Sequence, residues 1–368
     1  MYNWQLSDWP NFTFDRSKIK DELLSFVQDT GRLNGWLEAI PSDSRNEAML
    51  EIMLSEAINT SEIEGEFLSR EDVMSSIKRN LGLNPTIKEV KDLRAQGIAE
   101  LVLAIRTSFD QPLTKETLFA LHQMIMKGNM RINTGQWRFH HEPMQVVSGA
   151  IGREVVHFEA PPSAIVPKEM EAFIRWFNNT APGGSLEISN PSHRAAIVHL
   201  YFETIHPFED GNGRIGRAIS EKALSQSLGH PVFLSLSRTI VQNKKAYYEA
   251  LKKGQRSNDI TGWINYFQEV IMVSQQAAHE QIKFLLKKTK YLDLHRSALN
   301  ERQMKVILRI LKEGPEGFEG GITAKKYMTI SKTSKATATR DLQDMLSKKM
   351  IKTNDAKGRS TSYRLVFE

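Results

Sequence analysis

Residues 206–217 read His206-Pro207-Phe208-Glu209-Asp210-Gly211-Asn212-Gly213-Arg214-Ile215-Gly216-Arg217. The apolar stretch before them favours a helix, which must stop at Pro207 because proline cannot continue a helix. The glycines then form a tight loop into a second helix, whose first backbone N–H groups have no partner within the helix. Such a helix start binds anions, since the helix dipole adds to the free N–H groups. The segment therefore predicts two helices joined by an anion-binding loop.

The side chains of this segment supply further groups that phosphate chemistry requires. Arg214 and Arg217 are three residues apart, so they face the same side of the second helix and can clamp phosphate oxygens. Asp210 offers a hard oxygen to Mg²⁺. His206 is the residue type that removes a proton from a hydroxyl near neutral pH. Together these groups predict phosphoryl or nucleotidyl transfer.

The same residues fit two other patterns. The pattern Gly-x-Gly-x-x-Gly at 211–216 matches the dinucleotide-binding fingerprint, but that fingerprint needs a preceding strand, and the preceding segment is helical in pattern. The pattern His-x-x-x-Glu-x-x-His at 199–206 has metal-ligand spacing, but a di-metal bundle needs a second Glu-x-x-His, which the sequence lacks. His199 lies in an apolar stretch, so we expect it to pack in the core.

The composition describes an ordinary globular chain of two or three domains. Its 368 residues are 40% hydrophobic and 25% charged, without a single cysteine. Disulfides, thiol nucleophiles and cysteine-bound metals are therefore excluded. We find no apolar run of about 18 residues and no secretory leader, so we expect a cytoplasmic protein with no membrane partner.

Helical periodicity dominates, which predicts a mainly α fold. The predicted helices lie at about 23–37, 46–65, 86–108, 114–127, 168–179, 195–205, 213–228, 240–253 and 260–295. Between residues 131 and 158, glycines and prolines separate short β-prone pieces, which predicts a β-hairpin.

The basic excess is confined to the end of the chain. Residues 297–368 hold 15 Lys and Arg against 8 Asp and Glu, a net +7, whereas residues 1–296 hold 34 against 35, a net −1. A helix at 301–313, a helix–turn–helix at 323–350 and a terminal hairpin predict a small α+β winged-helix domain. Its charge suggests an anionic partner, of which nucleic acid is the common one.

Residues 206–217 resemble, without a mismatch, the Fic family motif H-P-F-x-[D/E]-G-N-G-R-x-x-R. The resemblance extends over about residues 100–270 and implies a Fic-type helical core with a β-hairpin flap ahead of the motif. Most characterised Fic proteins transfer AMP from ATP to a Ser, Thr or Tyr hydroxyl of a target protein. The resemblance thus implies a protein adenylyltransferase that uses ATP and Mg²⁺. Other members transfer UMP, phosphate or phosphocholine, so the motif does not settle the donor.

The resemblance also implies a role for each residue of the site. His206 would be the general base, Asp210 would hold Mg²⁺ and Phe208 would anchor the loop. The residues that it implies for nucleotide binding are Gly211, Asn212 and Gly213 at the α- and β-phosphates, Arg214 and Arg217 at the distal phosphates, Ile215 and Gly216 within the same motif, and Tyr248, with Gln255, near the adenine and ribose. The flap at 145–149, including Val146, Val147 and Ser148, would pair with the target's backbone as an added strand.

A second motif lies upstream at residues 60–65, Thr60-Ser61-Glu62-Ile63-Glu64-Gly65. It fits the inhibitory-helix motif [S/T]-x-x-x-E-[G/N] that many Fic proteins carry. By this resemblance Glu64 would pair with Arg217 and occupy the place of the γ-phosphate. The α-phosphate of ATP would then be misaligned for in-line attack, so we expect a self-inhibited protein. The alternative is a plain acidic helix end.

In the basic tail, the start of the predicted recognition helix holds the candidate DNA contacts Lys335, Thr337 and Arg340. The basic residues of the predicted wing are Lys352, Lys357, Arg359 and Arg364. The alternative is a winged helix that serves dimerisation or target docking.

The expected organisation is an amino-terminal helical region at 1–100, a Fic core at 101–285, a linker helix at 286–300 and a winged helix at 301–368. The expected partners are ATP and a hydroxyl-bearing protein, with DNA and a second copy of the chain left open. Three functions compete: an adenylyltransferase, a Fic enzyme that uses another donor or removes AMP, and a nucleotide-sensing transcription regulator.

Overall fold

The computed structural model describes residues 1–20, 22–83, 90–148, 155–314, 317–354 and 361–367. The fold is mainly α, as the periodicity predicts. The α-helices of the described residues are α1 (Leu23–Ala39), α2 (Ser42–Ile63), α3 (Arg70–Asn80), α4 (Leu93–Thr107), α5 (Lys115–Ile125), α6 (Val166–Asn179), α7 (Pro191–Ile205), α8 (Asn212–Leu228), α9 (Leu236–Gln242), α10 (Lys244–Gly254), α11 (Thr261–His295), α12 (Glu301–Lys312), α13 (Ala324–Ser331) and α14 (Lys335–Ser347).

Two small antiparallel sheets complete the described structure. The first is a hairpin of β1 (Gln145–Ser148) and β2 (Val155–Glu159). The second has the strand order β3-β5-β4, and its strands are β3 (Ile322–Thr323), β4 (Ile351–Thr353) and β5 (Ser362–Leu365). Among the described residues, no helix combines the length and the apolar character needed to cross a bilayer.

The chain divides into two compact units. The first unit comprises Met1–Asn34 and Met49–Ala278, and the second comprises Gly35–Ala48 and His279–Glu368. The predicted boundary at 100/101 falls inside α4, and the predicted boundary at 285/286 falls inside α11. Most of the amino-terminal region therefore shares one compact unit with the segment 101–278, whereas Gly35–Ala48 belongs to the second unit.

Helix α7 lies at the centre of the first unit. It is buried along nearly its whole length and packs against α8, as expected for a helix that is apolar on all sides. Asn190 starts α7, since its Oδ1 accepts hydrogen bonds from the backbone N–H groups of Ser192 (3.0 Å) and His193 (3.2 Å), and Pro191 occupies the first helical position. The buried helix α7 thus fixes the position of the residues that follow its carboxyl end.

The second unit contains the basic tail. Its core is formed by fully buried residues of the three helices α12 to α14, including Val306, Ile307, Tyr327, Ala338 and Met345. The helices and the terminal hairpin follow the order that the sequence predicts for 301–368, with β3 as an addition. Lys357 and Arg359, which were predicted to lie on the wing, are outside the described residues.

Two helix predictions need correction, and one helix was missed. Helix α3 was not predicted, because its few apolar positions leave a weak period. The predicted helix at 240–253 is two helices, since Asn243 ends α9 and its side chain caps α10. The predicted helix at 86–108 begins, within the described residues, only at Leu93, where Asp92 accepts a hydrogen bond from the N–H of Arg94.

Candidate active site

The loop between α7 and α8 places His206 at the carboxyl end of the central helix. His206 has a left-handed backbone conformation with φ = 50°, and its N–H donates to the carbonyl of Phe202. The buried guanidinium of Arg138 donates to the carbonyls of His206 (2.7 Å) and Ile205 (3.2 Å). These bonds satisfy carbonyls that the end of α7 leaves without helical partners. The position of His206 is therefore set by its backbone.

A side-chain amide locks the loop. The Oδ1 atom of Asn212 accepts from the N–H of Phe208 (2.9 Å), and its Nδ2 donates to the carbonyl of the same residue (2.8 Å). The ring of Phe208 is fully buried and stacks on His122 at 4.1 Å between ring centroids. The loop is thus tied both to its own helix and to the core, and Phe208 lies where an anchor was expected.

Two glycines of the loop lie close against other side chains. Gly211 has φ = 83°, and a Cβ atom there would meet Cδ1 of Ile125 at 2.5 Å. A Cβ at Gly213 would meet Oε1 of Glu64 at 2.2 Å. Helix α8 begins after Gly211 without a side-chain cap, so its N-terminal N–H groups are not used by a capping side chain. The helix start lies where the sequence predicts an anion-binding site.

Glu64 and Arg217 form an ion pair across 153 residues of sequence. The Nη2 atom of Arg217 donates to Oε1 of Glu64 at 2.7 Å and to the carbonyl of Thr60 at 3.0 Å. The Nε atom donates to Oγ1 of Thr60 at 2.9 Å. Burial alone would lower the pKa of Arg217, but the facing Glu64 carboxylate raises it. The guanidinium is held in its charged form.

Arg214 pairs with a carboxylate that was not singled out in the sequence. Its Nη1 atom donates to Oε2 of Glu66 at 2.8 Å, and its Nη2 lies 3.6 Å from Oδ1 of Asp210. The Arg214 side chain is only 4% exposed, whereas that of Asp210 is 53% exposed. Asp210 is therefore the accessible carboxylate at the edge of the site.

The imidazole of His206 is enclosed on one side. Its Nδ1 atom is buried without a hydrogen-bond partner and lies 3.7 Å from Oε2 of Glu203. Burial, followed by the charge of Arg138, lowers the pKa of His206 to about 4. Burial also raises the pKa of Glu203 to about 8. At neutral pH the histidine is therefore unprotonated, as a general base must be.

A cavity of about 660 Å³ opens beside His206. Its lining includes Glu64, Val146, Val147, His157, Glu203, His206, Gly213, Lys245, Tyr248, Lys252 and Gln255. The predicted base, one glycine of the predicted phosphate loop, the predicted inhibitory residue, the nucleoside residues and two flap residues thus surround one space.

The hairpin β1–β2 lies where the flap is predicted. Val146 pairs with Phe158 and Ser148 with Val155, and a bulge interrupts the register between Val146 and Val147. Gly149, the last predicted flap residue, lies outside the described residues.

The remaining candidates divide between the interior of the first unit and the surface of the second. Ile215 is fully buried, and a Cβ at Gly216 would meet Oε1 of Glu203 at 2.6 Å, so both positions contact the protein interior. Lys335 and Arg340 are exposed residues of α14 in the second unit, and Thr337 is half-buried there.

The metal interpretation of the 199–206 pattern finds no support in the described chain. His199 is fully buried, with its Nε2 atom 2.8 Å from the hydroxyl of Tyr247 and its ring stacked on Phe267. Across the described ranges, no group of three or more His, Asp or Glu residues is arranged to hold a metal ion. His199 is a core histidine, as expected.

Sequence reasoning missed three contacts that shape the site, those of Arg138, Glu66 and Trp4. The indole of Trp4 donates to the carbonyl of Glu159 at 2.8 Å, which ties the amino-terminal segment to the flap strand β2. None of the three has a local signal, because each contact joins residues that are far apart in the chain.

Comparison with protein families gives two matches. Residues 112–224 match the Fic/DOC family, and residues 2–83 match a domain of unknown function, DUF4172. The first match contains the predicted flap and the 206–217 motif, and the second contains the 60–65 motif.

Two curated relatives resemble parts of the chain. The probable protein adenylyltransferase aq_aa38 of Aquifex aeolicus is 30% identical over 98 residues, which are 27% of each chain. The protein adenylyltransferase Fic of Nematostella vectensis is 30% identical over 128 residues, which are 34% of this chain and 28% of that protein. The chain spans little more than a quarter of the length of these relatives.

Solved structures share the fold over a larger part of the chain. A Fic family protein from Desulfovibrio desulfuricans G20 has a TM-score of 0.55 at 20% identity, and the alignment covers 97% of this chain and 98% of that one. A Fic domain containing signaling protein from Bacteroides thetaiotaomicron has a TM-score of 0.51 at 20% identity over 69% of this chain and 97% of that one.

Proposed function

The chain belongs to the Fic family through its domain at residues 112–224, and on this premise we propose that it is a protein adenylyltransferase. It would transfer AMP from ATP to a Ser, Thr or Tyr hydroxyl of a target protein. One observation carries the proposal, namely that His206 and Gly213 line the same cavity as the flap residues Val146 and Val147. A base, a phosphate loop and a strand edge for a peptide thus adjoin one space.

In the proposed reaction, the oxygen of the target hydroxyl forms a bond to the α-phosphorus of ATP, and the bond from that phosphorus to pyrophosphate breaks. His206 accepts the hydroxyl proton at Nε2, since its Nδ1 is enclosed. The uncapped start of α8 and the guanidinium groups of Arg214 and Arg217 stabilise the phosphate charge. Pyrophosphate is the leaving group.

The donor set fits Mg²⁺ as a companion of the nucleotide. Asp210 is the exposed carboxylate beside the loop, and Mg²⁺ commonly uses one or two carboxylates together with phosphate oxygens and water. When bound with ATP, the ion would neutralise phosphate charge. Asp210 is the residue that would hold it.

We propose further that Glu64 inhibits this reaction in the wild-type chain. Its Oε1 atom already accepts a hydrogen bond from Nη2 of Arg217 at 2.7 Å. The same atom lies 2.2 Å from the place that a Cβ of Gly213 would take. A phosphate that approached Arg217 and Gly213 would meet a negative charge there. The wild-type chain is therefore self-inhibited, and ATP is held without productive alignment.

The Glu64→Gly variant tests the function and the inhibition together. Incubated with ATP and Mg²⁺, it should attach AMP to itself, as many unrestrained Fic proteins do. We expect a rise of roughly 10- to 100-fold over wild type, the range of a coupling free energy of a few kcal/mol. Intact-protein mass spectrometry measures the gain.

Glu62→Gln is the matched control, since it removes a carboxylate from the same helix end without touching an arginine. It should attach no more AMP to itself than wild type does. A phosphate-sized gain would move the proposal to another donor, and loss of AMP from a modified protein would favour the reverse reaction. No gain in Glu64→Gly would leave the adenylyltransferase proposal without support.

For the second unit, we propose DNA binding through α14. The motivating observation is that Lys335 and Arg340 are exposed on a helix that Ser334 caps at its start. The net charge of +7 over residues 297–368 adds a general attraction to phosphate.

The double variant Lys335→Ala/Arg340→Ala should weaken binding to a mixed-sequence duplex and lower the salt slope by about 2, one for each lost phosphate contact. A mobility shift at several salt concentrations measures both. The control is Lys305→Ala/Lys312→Ala, which removes two exposed charges from α12. If both double variants lost the same affinity for the duplex, α14 would be one part of a general basic surface and not a specific DNA contact. If neither variant lost affinity, the proposal would be refuted.

A further inference from the structure

Glu66 sits opposite Arg214 as Glu64 sits opposite Arg217. The two pairs have N–O distances of 2.8 and 2.7 Å. The arginines are three residues apart on α8, and the glutamates are two residues apart in the segment that follows α2. Glu66 lies one residue beyond the predicted inhibitory motif at 60–65, so that motif assigns it no role.

We propose that Glu66 is a second determinant of nucleotide affinity, which holds Arg214 in place of the ligand's phosphate and acts independently of Glu64. The proposal rests on the proposed function, in which Arg214 contacts a distal phosphate. It adds a specific claim, that the wild-type site has both phosphate-binding arginines occupied by its own carboxylates.

The surroundings of Arg214 support this role. Its side chain is 4% exposed, and its Nε is buried without a hydrogen-bond partner. Apart from Glu66, the acidic side chain within ion-pair distance among the described residues is Asp210, at 3.6 Å. A buried guanidinium that loses its partner requires another anion. The phosphate of a nucleotide is the anion that the neighbouring helix start would bring.

Glu66 is the more exposed member of the pair. Its side chain is 30% exposed, and it follows Gly65, which has φ = 81° in the turn after α2. The carboxylate therefore lies nearer to solvent than the guanidinium of Arg214, which is 4% exposed. A ligand phosphate would displace the more exposed member of the pair.

The test measures equilibrium binding of ATP, AMP and inorganic tripolyphosphate by calorimetry in the full chain. Glu66→Gln should bind ATP and tripolyphosphate about 5- to 10-fold more tightly than wild type, since a charged competitor is replaced by a neutral isostere. Binding of AMP should not change, because AMP has no distal phosphate. Glu62→Gln is the matched control and should equal wild type with all three ligands.

A double-mutant cycle assigns the effect to the proposed pair. In an Arg214→Gln background, Glu66→Gln should no longer alter the affinity for tripolyphosphate. An equal gain with and without Arg214 would overturn the proposal, since the effect would then be general charge repulsion. An unchanged affinity in the single variant would overturn it as well.

These results are separable from the proposed transfer reaction, because every variant in the cycle keeps Glu64. If Glu64→Gly attaches no AMP but Glu66→Gln gains affinity for tripolyphosphate, the transferase proposal fails and the role of Glu66 stands. If Glu64→Gly is active and Glu66→Gln binds like wild type, the opposite holds.

Discussion

Replacing His206 with alanine in the Glu64→Gly background should lower the rate of AMP attachment about 1,000-fold, within the range of general-base contributions. The imidazole touches the attacking hydroxyl in the proposed reaction, not the phosphates. ATP affinity should therefore stay near that of Glu64→Gly itself. Time courses of modification by intact mass, together with calorimetric ATP binding, separate the two quantities.

The pH profile gives a second readout of the same role. Burial lowers the pKa of His206 to about 4, so the basic form is complete above about pH 5 and is lost only below it. The rate should be level between pH 6 and 7, below the pKa of the neighbouring Glu203, whereas an unperturbed histidine would lose half of its base form near pH 6.5. His230→Ala, a histidine after the end of α8, is the control. A rate that survives His206→Ala would remove the base from the mechanism.

The helices that frame the site follow from local chemistry, which the sequence contains. The end of α7 at Ile205 follows from Pro207, and the start of α5 follows from Thr114, whose side chain accepts from the N–H of Thr117. The two hydrogen bonds between Phe208 and Asn212 join residues that are four apart in the sequence. The spacing of the motif predicts contacts over so short a range.

Contacts between distant segments are different. The pairing of Glu64 with Arg217 was expected only through the family resemblance, and nothing in the spacing of the residues indicates it. The pair of Glu66 and Arg214 spans 148 residues, and the sequence contains no pattern that selects Glu66 over the nearby Glu62. Such contacts depend on how the segment after α2 packs within the first unit, which periodicity does not describe.

Weak local signals explain the missed elements. Helix α3 buries only Val73, Ser76 and Ile77, so its apolar period is too sparse to stand out. Strand β3 has two residues and depends on β5 for its hydrogen bonds. In both cases the tertiary neighbours stabilise the element, and the local sequence alone does not predict it.

Glu203 lies between the proposed base, His206, and the proposed inhibitory residue, Glu64. Its side chain lies beside His206 and lines the same cavity as Glu64. Burial, together with the charge of Glu64, raises its pKa to about 8, so it is mainly neutral at pH 7. Because the carboxyl of Glu203 and the imidazole of His206 are both uncharged, the positive charge that Glu64 faces in this part of the site is that of Arg217.

Arg138→Gln should lower the free energy of unfolding by about 3 kcal/mol, the scale for a buried charged group that leaves its partners unsatisfied. Its guanidinium donates to the carbonyls of His206, Ile205 and Pro161 and to the hydroxyl of Ser163. Glutamine has two N–H donors and a shorter reach, so at least two of these acceptors lose their bonds. Urea unfolding followed by circular dichroism measures the change.

The same substitution in the Glu64→Gly background should also slow AMP attachment, because the left-handed conformation of His206 at the end of α7 depends on the bond from Arg138 to its carbonyl. Arg175→Gln is the control: its side chain is 66% exposed and pairs only with Glu171, so it should cost less than about 0.5 kcal/mol. Arg138→Lys keeps the charge but cannot span all four acceptors, so its stability should fall between those of wild type and Arg138→Gln. If Arg138→Gln were as stable and as active as its parent, the carbonyl bonds would not be what positions the base. The position of His206 would then have to come from the bonds between Phe208 and Asn212 alone.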